Sequence, residues 1–141
     1  MAHLIYNKTA ALKITGRLAT SVHIWANVIF VKFETGSPRF VSKKAFKAEF
    51  ARSRQASGQQ IFESGLVEPV GHSSYIVQSI NSFDMHTVII EEDHITCTCD
   101  DWDKQHRAAF STPTCKHGYA ALATLGYSRL SDYVKSTRVT A

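Results

Sequence analysis

The chain has 141 residues, a hydrophobic share of 44% and a formal net charge of +4, with a sequence pI of about 9.1. This length supports one domain or two small ones, and no apolar run approaches the roughly 18 residues that a membrane-spanning helix needs. The first residues, MAHLIYNKTAALK, lack the charged-then-apolar pattern of a secretory signal. We therefore expect a cytoplasmic protein, nucleoid-associated if prokaryotic, whose thiols stay reduced and whose mild basicity is compatible with a nucleic-acid partner.

Residues 1–54 predict an N-terminal α+β unit. Its first ten residues are expected to precede the folded unit without being anchored to it. Leu12 and Ile14 then alternate with polar residues, as in a short, half-buried strand. Residues 20–34, TSVHIWANVIFVKFE, form the most β-like stretch of the chain. Since apolar side chains occur on both parities, this stretch predicts either one long core strand or two strands with a bend near the middle.

Residues 39–54, RFVSKKAFKAEFARSR, predict a basic amphipathic helix. Ser42 suits the N-cap, and Phe46 and Phe50, four residues apart, give an apolar stripe. Six basic residues against one acid give this segment a local charge of +5, in a chain whose net charge is +4. The six are Arg39, Lys43, Lys44, Lys47, Arg52 and Arg54. A one-signed face suits phosphate binding, because neutralised phosphates release condensed counterions, and a solvated surface helix is the alternative.

Residues 55–72 predict a linker and edge segment, since the stretch RSRQASGQQ at 52–60 is small and polar. Residues 75–80 then alternate as a strand, and residues 85–91 predict the strand that returns after a turn. After residue 127 we expect a short helix and a basic tail, covering residues 128–141.

All three cysteines lie within residues 97–117, CTCDDWDKQHRAAFSTPTCKH. Cys97 and Cys99 form one closely spaced pair, Cys115 and His117 form another, and 15 residues separate the two pairs. Structural Zn²⁺ takes four thiolate and imidazole ligands in a closed tetrahedron. Residues i and i+2 of a strand face the same side, so the first pair suits a strand end, while the second pair lies where a helix begins. The spacing predicts one structural zinc ion.

Other interpretations of these residues are less well supported by chemistry. Three buried cysteines can serve as small hydrophobic residues, and Cys115 beside His117 has the composition of a nucleophile and its base. A disulfide between Cys97 and Cys99 would close a very small, strained ring and leave one cysteine odd. Two further histidines could replace His117 as the fourth ligand, namely His94 and His106.

The pattern C-x-C, followed after a variable loop by C-x-H, resembles the SWIM zinc finger. The resemblance covers about residues 73–127, with strands before the first pair and the helix-like CKHGYAALATL at the second. It implies a ββα zinc module that binds DNA or a protein partner. Members of the family occur in chromatin remodellers, transposases and recombination mediators, so the resemblance indicates a module and no single activity.

The charge of this module is uneven along the sequence. Residues 91–103 contain six acids and no Lys or Arg. These acids would repel a phosphate backbone, and they could instead orient His117 or stiffen the loop. DNA would then contact the basic side chains that follow, which are Lys104, Arg107 and Lys116. The aromatic residues Trp102 and Phe110 are expected to pack in the core.

Together these features predict an α+β protein with antiparallel strands, a basic helix and a ββα zinc module. The function that we expect is a zinc-stabilised, non-enzymatic accessory protein that binds nucleic acid, with DNA favoured. The alternative is an adaptor for a protein partner such as a recombination or transposition factor. The sequence has no phosphate loop, H-E-x-x-H motif or nucleophile elbow, and we expect neither a membrane nor a small-molecule substrate as partner.

Overall fold

The computed structural model describes residues 2–140 of the chain. Within them the fold is mixed α+β, with two antiparallel sheets and five α-helices, so the predicted fold class is confirmed. The chain divides into two compact units, Met1–Ser53 and Arg54–Ala141. No helix in the described part of the chain is both long enough and apolar enough to span a bilayer.

The first unit is a three-stranded sheet with helices against one face. After a short 3₁₀ helix the elements are α1 (Lys8–Thr15), β1 (Ala19–Ile24), β2 (Ile29–Phe33), β3 (Arg39–Val41) and α2 (Lys43–Glu63), and the boundary between the units falls within α2. The strands lie in the order β1-β2-β3 and all pair antiparallel. Residues 20–34 therefore form two strands, which was one of the two predicted arrangements. The buried side of the sheet is lined by Ile29, Val31, Phe33 and Val41, which cluster with Phe46 of α2.

Helix α1 replaces the strand that was predicted around Leu12. The Asn7 side chain accepts a hydrogen bond from the Ala10 amide at 2.9 Å, which caps the first turn. Gly16, with φ of +74°, ends the helix in the left-handed conformation that glycine adopts without strain. A few alternating residues fit a strand and a helix equally well, and here the caps and the burial of the Ala10-Ala11 pair favour the helix.

The second unit is a four-stranded sheet with helices. Beyond the end of α2 its elements are β4 (Val67–Pro69), β5 (Ser74–Gln78), β6 (Met85–Ile90), β7 (Ile95–Cys97), α3 (Asp100–Arg107), α4 (Lys116–Thr124) and α5 (Leu130–Thr140). The strands lie in sequence order and pair antiparallel, with the predicted turn joining β5 and β6. Helix α3 occupies the loop predicted between the two ligand pairs. Helix α5 continues through most of the predicted tail, and the last residue, Ala141, lies outside the described part.

The small, polar stretch at 52–60, predicted to be a linker, is helical, since α2 continues to Glu63. Its small residues serve close packing. A Cβ atom built on Gly58 would lie 2.6 Å from Cβ of Tyr119 and 2.8 Å from the carbonyl oxygen of Lys116. Helices α2 and α4 thus approach so closely at this point that only glycine fits. Composition alone cannot distinguish a close helix contact from a linker, because both favour small side chains.

Candidate metal centre

Four side chains converge on one point in the second unit. The donor atoms of Cys97, Cys99, Cys115 and His117 all lie within 4.8 Å of one another, and all four residues are buried. His117 Nδ1 is 3.8 Å from the Sγ atoms of both Cys97 and Cys115. A tetrahedral zinc with bonds of about 2.3 Å to sulfur and about 2.0 Å to nitrogen has S···N edges of about 3.6 Å. The four donors therefore fit one structural zinc ion.

Each ligand lies at the end of a secondary-structure element. Cys97 is the last residue of β7, opposite Val88 of β6. Cys99 lies beyond the strand, as the N-cap of α3, and its Sγ accepts a hydrogen bond from the Trp102 amide at 3.4 Å. Cys115 is the extended N-cap residue of α4, and His117 follows in the first turn. A metal ion bound here would cross-link one strand end to the starts of two helices.

His117 is oriented by a residue that no sequence pattern singles out. Its Nε2 atom, on the side of the ring away from the sulfurs, lies 3.4 Å from Ser79 Oγ. The His86 ring lies beside it, with ring centroids 4.5 Å apart. A partner on the second nitrogen fixes the tautomer and the ring orientation of a metal-binding histidine. The charge pattern suggests acids from residues 91–103 for this part, whereas the residue beside Nε2 is Ser79, 38 positions away in the sequence.

A buried glutamine holds the loop that leads into Cys115. Gln105 Oε1 accepts a hydrogen bond from the Thr114 amide at 3.0 Å, and its Nε2 donates to the Thr114 carbonyl at 3.1 Å. The same Nε2 donates to Asp101, which forms an ion pair with Arg54 at 2.8 Å. Gln105 is almost fully buried. Its side-chain amide therefore supplies the hydrogen bonds that water would otherwise make to the N–H and C=O groups of Thr114.

The three thiols share protons through their hydrogen bonds with one another. Hydrogen bonds from Cys115 and Cys97 lower the pKa of Cys99 and favour its thiolate. Contact with the sulfurs of Cys97 and Cys99, together with burial, raises the pKa of Cys115. Cys115 lowers the pKa of Cys97, but contact with Cys99 and burial outweigh that effect and raise this pKa to about 12. Zinc must therefore displace protons when it binds, because its cysteine ligands are thiolates.

The histidines and aromatic residues of this region do not extend the ligand set. His94 is exposed and contacts the carboxylates of Asp93, at 3.0 Å, and Glu91, at 3.5 Å. His106 stacks on Trp102, whose indole N–H donates to the Ile95 carbonyl at 2.8 Å. Trp102 also packs against the core of the unit, as predicted.

The basic side chains predicted to contact nucleic acid have different surroundings. Arg39 lies exposed on β3, whereas Lys43, Lys44 and Lys47 lie in the first turns of α2. Arg52 forms an ion pair with Glu49 at 2.7 Å, and Arg54 with Asp101. In the zinc module Arg107 pairs with Asp103 at 2.9 Å, while Lys104 and Lys116 are exposed at the surfaces of α3 and α4.

Comparison with protein families identifies the zinc-binding segment. Residues 86–126 match the family model described as the SWIM zinc finger, which confirms the resemblance. This span includes all four clustered ligands, so the family match and the geometry support the same structural zinc. Neither the curated proteins nor the solved structures contain a match to this chain.

Proposed function

We propose that this chain, in which residues 86–126 match the SWIM zinc finger, is a zinc-stabilised, non-enzymatic accessory protein that binds nucleic acid, DNA in particular. The observation that carries the proposal is the division of charge between the two units. Residues 1–53 contain nine Lys and Arg against two Asp and Glu, a net charge of +7. Residues 54–141 contain seven against ten, a net charge of −3. A polyanion would therefore be attracted to the first unit.

The start of α2 supports phosphate binding. Lys43 and Lys44 occupy its first turn, which has no acidic residue. Positive charges at this end of a helix oppose its dipole and cost about 0.3–1 kcal/mol each, whereas a bound phosphate is favoured there. Lys44 and Lys47 are exposed, and the one acid of the segment, Glu49, is buried and paired with Arg52. These two lysines are therefore available to contact the backbone of a nucleic acid.

The zinc site supports a structural role for the metal. Three thiolates and one imidazole complete a tetrahedron and leave no position for a water molecule to be activated. When bound, zinc would supply a cross-link. The protein positions the ligands through the N-caps of α3 and α4, through Ser79 behind His117 and through Gln105 at the loop before Cys115.

The experiment is a DNA titration over a salt series with two charge-matched variants. Lys44→Glu/Lys47→Glu removes two proposed phosphate contacts, and Lys135→Glu/Arg138→Glu makes the same charge change in α5 of the second unit. If each lost contact lowers the slope of log affinity against log salt by about 0.9, the first variant should lose about 1.8. The control should keep most of the wild-type slope. Equal losses in both variants, or no binding of the wild type at low salt, would contradict the proposal.

The second candidate function is an adaptor for a protein partner, and one apolar turn favours it. Phe83, between β5 and β6, is 93% exposed, and Ile80 and Met85 beside it are also exposed. The acidic residues 91–93 lie in the same unit. The discriminating experiment is recovery of a partner with wild type, with Phe83→Ala and with Glu91/Glu92/Asp93→Lys. Recovery that both variants abolish, in a protein that binds no DNA, would establish this alternative.

A further inference from the structure

The sheet of the first unit has one covered face and one that carries aromatic rings. The covered face is formed by the buried residues of β2 and β3 already described. On the opposite face Phe30 of β2 pairs in register with Phe40 of β3, and His23 of β1 pairs with Phe30 from the other side. Residues that are directly opposite in neighbouring strands share a face, so these three side chains form a row across the sheet. Trp25 follows β1 and joins this row.

The three large rings touch one another and form a single surface, called here the aromatic face: Trp25, Phe30 and Phe40. The Trp25 and Phe30 rings are stacked, with centroids 5.1 Å apart and planes 17° apart. Phe40 lies 5.1 Å from Phe30 and 5.2 Å from Trp25. Trp25 is nevertheless 48% exposed and Phe40 55% exposed. The core of the unit is formed by other residues, so the aromatic face is not needed to complete it.

The charges around the aromatic face indicate the chemistry of its partner. Lys32 is two residues from Phe30 along β2, so its side chain lies on the same face as Phe30. It pairs in register with Ser21 of β1. Arg39, exposed on the edge strand β3, pairs in register with Val31 and therefore lies on the other face of the sheet. None of the three strands contains an Asp or a Glu. Exposed aromatic rings with a lysine on the same face, in a unit of net charge +7, complement a ligand with flat rings and negative charges.

We propose that the aromatic face is a stacking platform for unpaired bases of single-stranded nucleic acid, with Lys32 contacting the phosphates. This inference rests on the proposed nucleic-acid function and adds to it a site that only single strands can use. Bases in a duplex are stacked on each other, so their faces cannot reach a flat protein surface. Every base has such a face, and binding of this kind tolerates many sequences.

The test compares a twelve-residue oligothymidylate with a duplex of the same length, under the same salt conditions. The variants are Trp25→Ala and Phe40→Ala, with Trp25→Phe as the conservative replacement and Phe83→Ala as a control for loss of an exposed aromatic residue elsewhere. Each lost base stack should weaken binding of the single strand about 5- to 150-fold, leaving duplex affinity and the salt slope unchanged. Trp25→Phe and Phe83→Ala should bind nearly as the wild type does.

Tryptophan fluorescence gives a second readout, because a base stacked on an indole quenches its emission. The wild type should be quenched by the oligothymidylate, and Trp25→Phe should lose this quenching while Trp102 still emits. Circular dichroism of each variant checks that the fold is kept, as expected for exposed positions.

The possible results separate this inference from the function on which it rests. Unchanged single-strand affinity in Trp25→Ala and Phe40→Ala, with salt-dependent duplex binding intact, would overturn the platform and leave the proposed function standing. Absence of binding to either nucleic acid at low salt would overturn both. If Phe40→Ala converts a dimer to a monomer without changing single-strand affinity, the aromatic face joins two copies of the chain, and the inference is wrong.

Discussion

The two units of this protein use their polar residues in opposite ways. The first is basic, is built around an apolar core and leaves Lys44 and Lys47 exposed on α2. The second is acidic and gathers three thiols and an imidazole in its interior. Like charges on the first unit repel one another and lower its stability, and a polyanion would relieve that repulsion. The second unit would obtain a cross-link from its metal ligands, so the metal-dependent stability and the proposed nucleic-acid binding belong to different parts of the chain.

Removal of zinc should have the largest effect, and it should affect the two units differently. Because metal binding contributes about 10–16 kcal/mol of folding free energy in small zinc domains, a strong chelator should unfold the second unit and leave the first folded. Trp25 and Trp102 report on one unit each, so the variants Trp102→Phe and Trp25→Phe isolate the two signals. Emission from Trp102 should shift to the red and recover when zinc is restored, while that from Trp25 should not change. A melting curve that chelation leaves intact would refute the structural role of zinc.

Acid should weaken zinc binding by the second unit. The pKa of Cys97 is raised to about 12 and that of Cys115 is also raised, so both thiols are protonated at neutral pH, whereas Cys99 has a lowered pKa. Zinc must displace at least these two protons, and lower pH makes that displacement harder. Affinity should therefore fall at least about 100-fold for each pH unit between pH 8 and pH 6. Competition with a chromophoric chelator measures this slope, and a pH-independent affinity would contradict the proton sharing that we describe.

Gly58→Ala should destabilise the second unit by about 1–3 kcal/mol, because the new methyl group meets Tyr119 and the backbone of α4. The sign of this change in unfolding free energy is informative, because alanine is favoured over glycine in a helix by about 1 kcal/mol when nothing lies nearby. Denaturant unfolding with saturating zinc, followed by Trp102 fluorescence, measures the change. The control is Gly71→Ala, where the nearest atom would lie at an ordinary contact distance of 3.6 Å. A stabilised Gly58→Ala protein would show that α2 and α4 are not in close contact.

The smallest expected effect concerns the residue behind His117. Ser79→Ala removes the oxygen near Nε2 and should lower zinc affinity about 10-fold, the lower end of the effect of losing such a partner. Ser131→Ala, at an exposed position in α5, makes the same chemical change away from the metal centre and should leave affinity unchanged. If both variants bind zinc equally well, Ser79 does not orient the ligand.

The ligand set was predictable because its signal is local. Structural zinc needs four ligands, and here they fall in two pairs, Cys97 with Cys99 and Cys115 with His117, with one residue between the members of each pair. Ser79 and Gln105 were not predictable, because a lone Ser or Gln carries no pattern and acquires its role only when the chain brings it to His117 or Thr114. The sequence also did not predict that one side of β2 is exposed. Apolar residues stand at both odd and even positions of 20–34, and this pattern predicts a strand buried on both faces.

The sequence by itself determined the zinc ligands, the α+β class, the antiparallel strands before the first ligand pair and the concentration of positive charge near the start of α2. These features depend on spacing, periodicity and composition, which are properties of neighbouring residues. Only the tertiary structure decided that residues 8–15 and 52–60 are helical, that Gly58 marks a close contact of two helices and that Trp25, Phe30 and Phe40 form one exposed surface. Those outcomes depend on which distant residues share a face or a contact, and short segments of sequence do not encode that information.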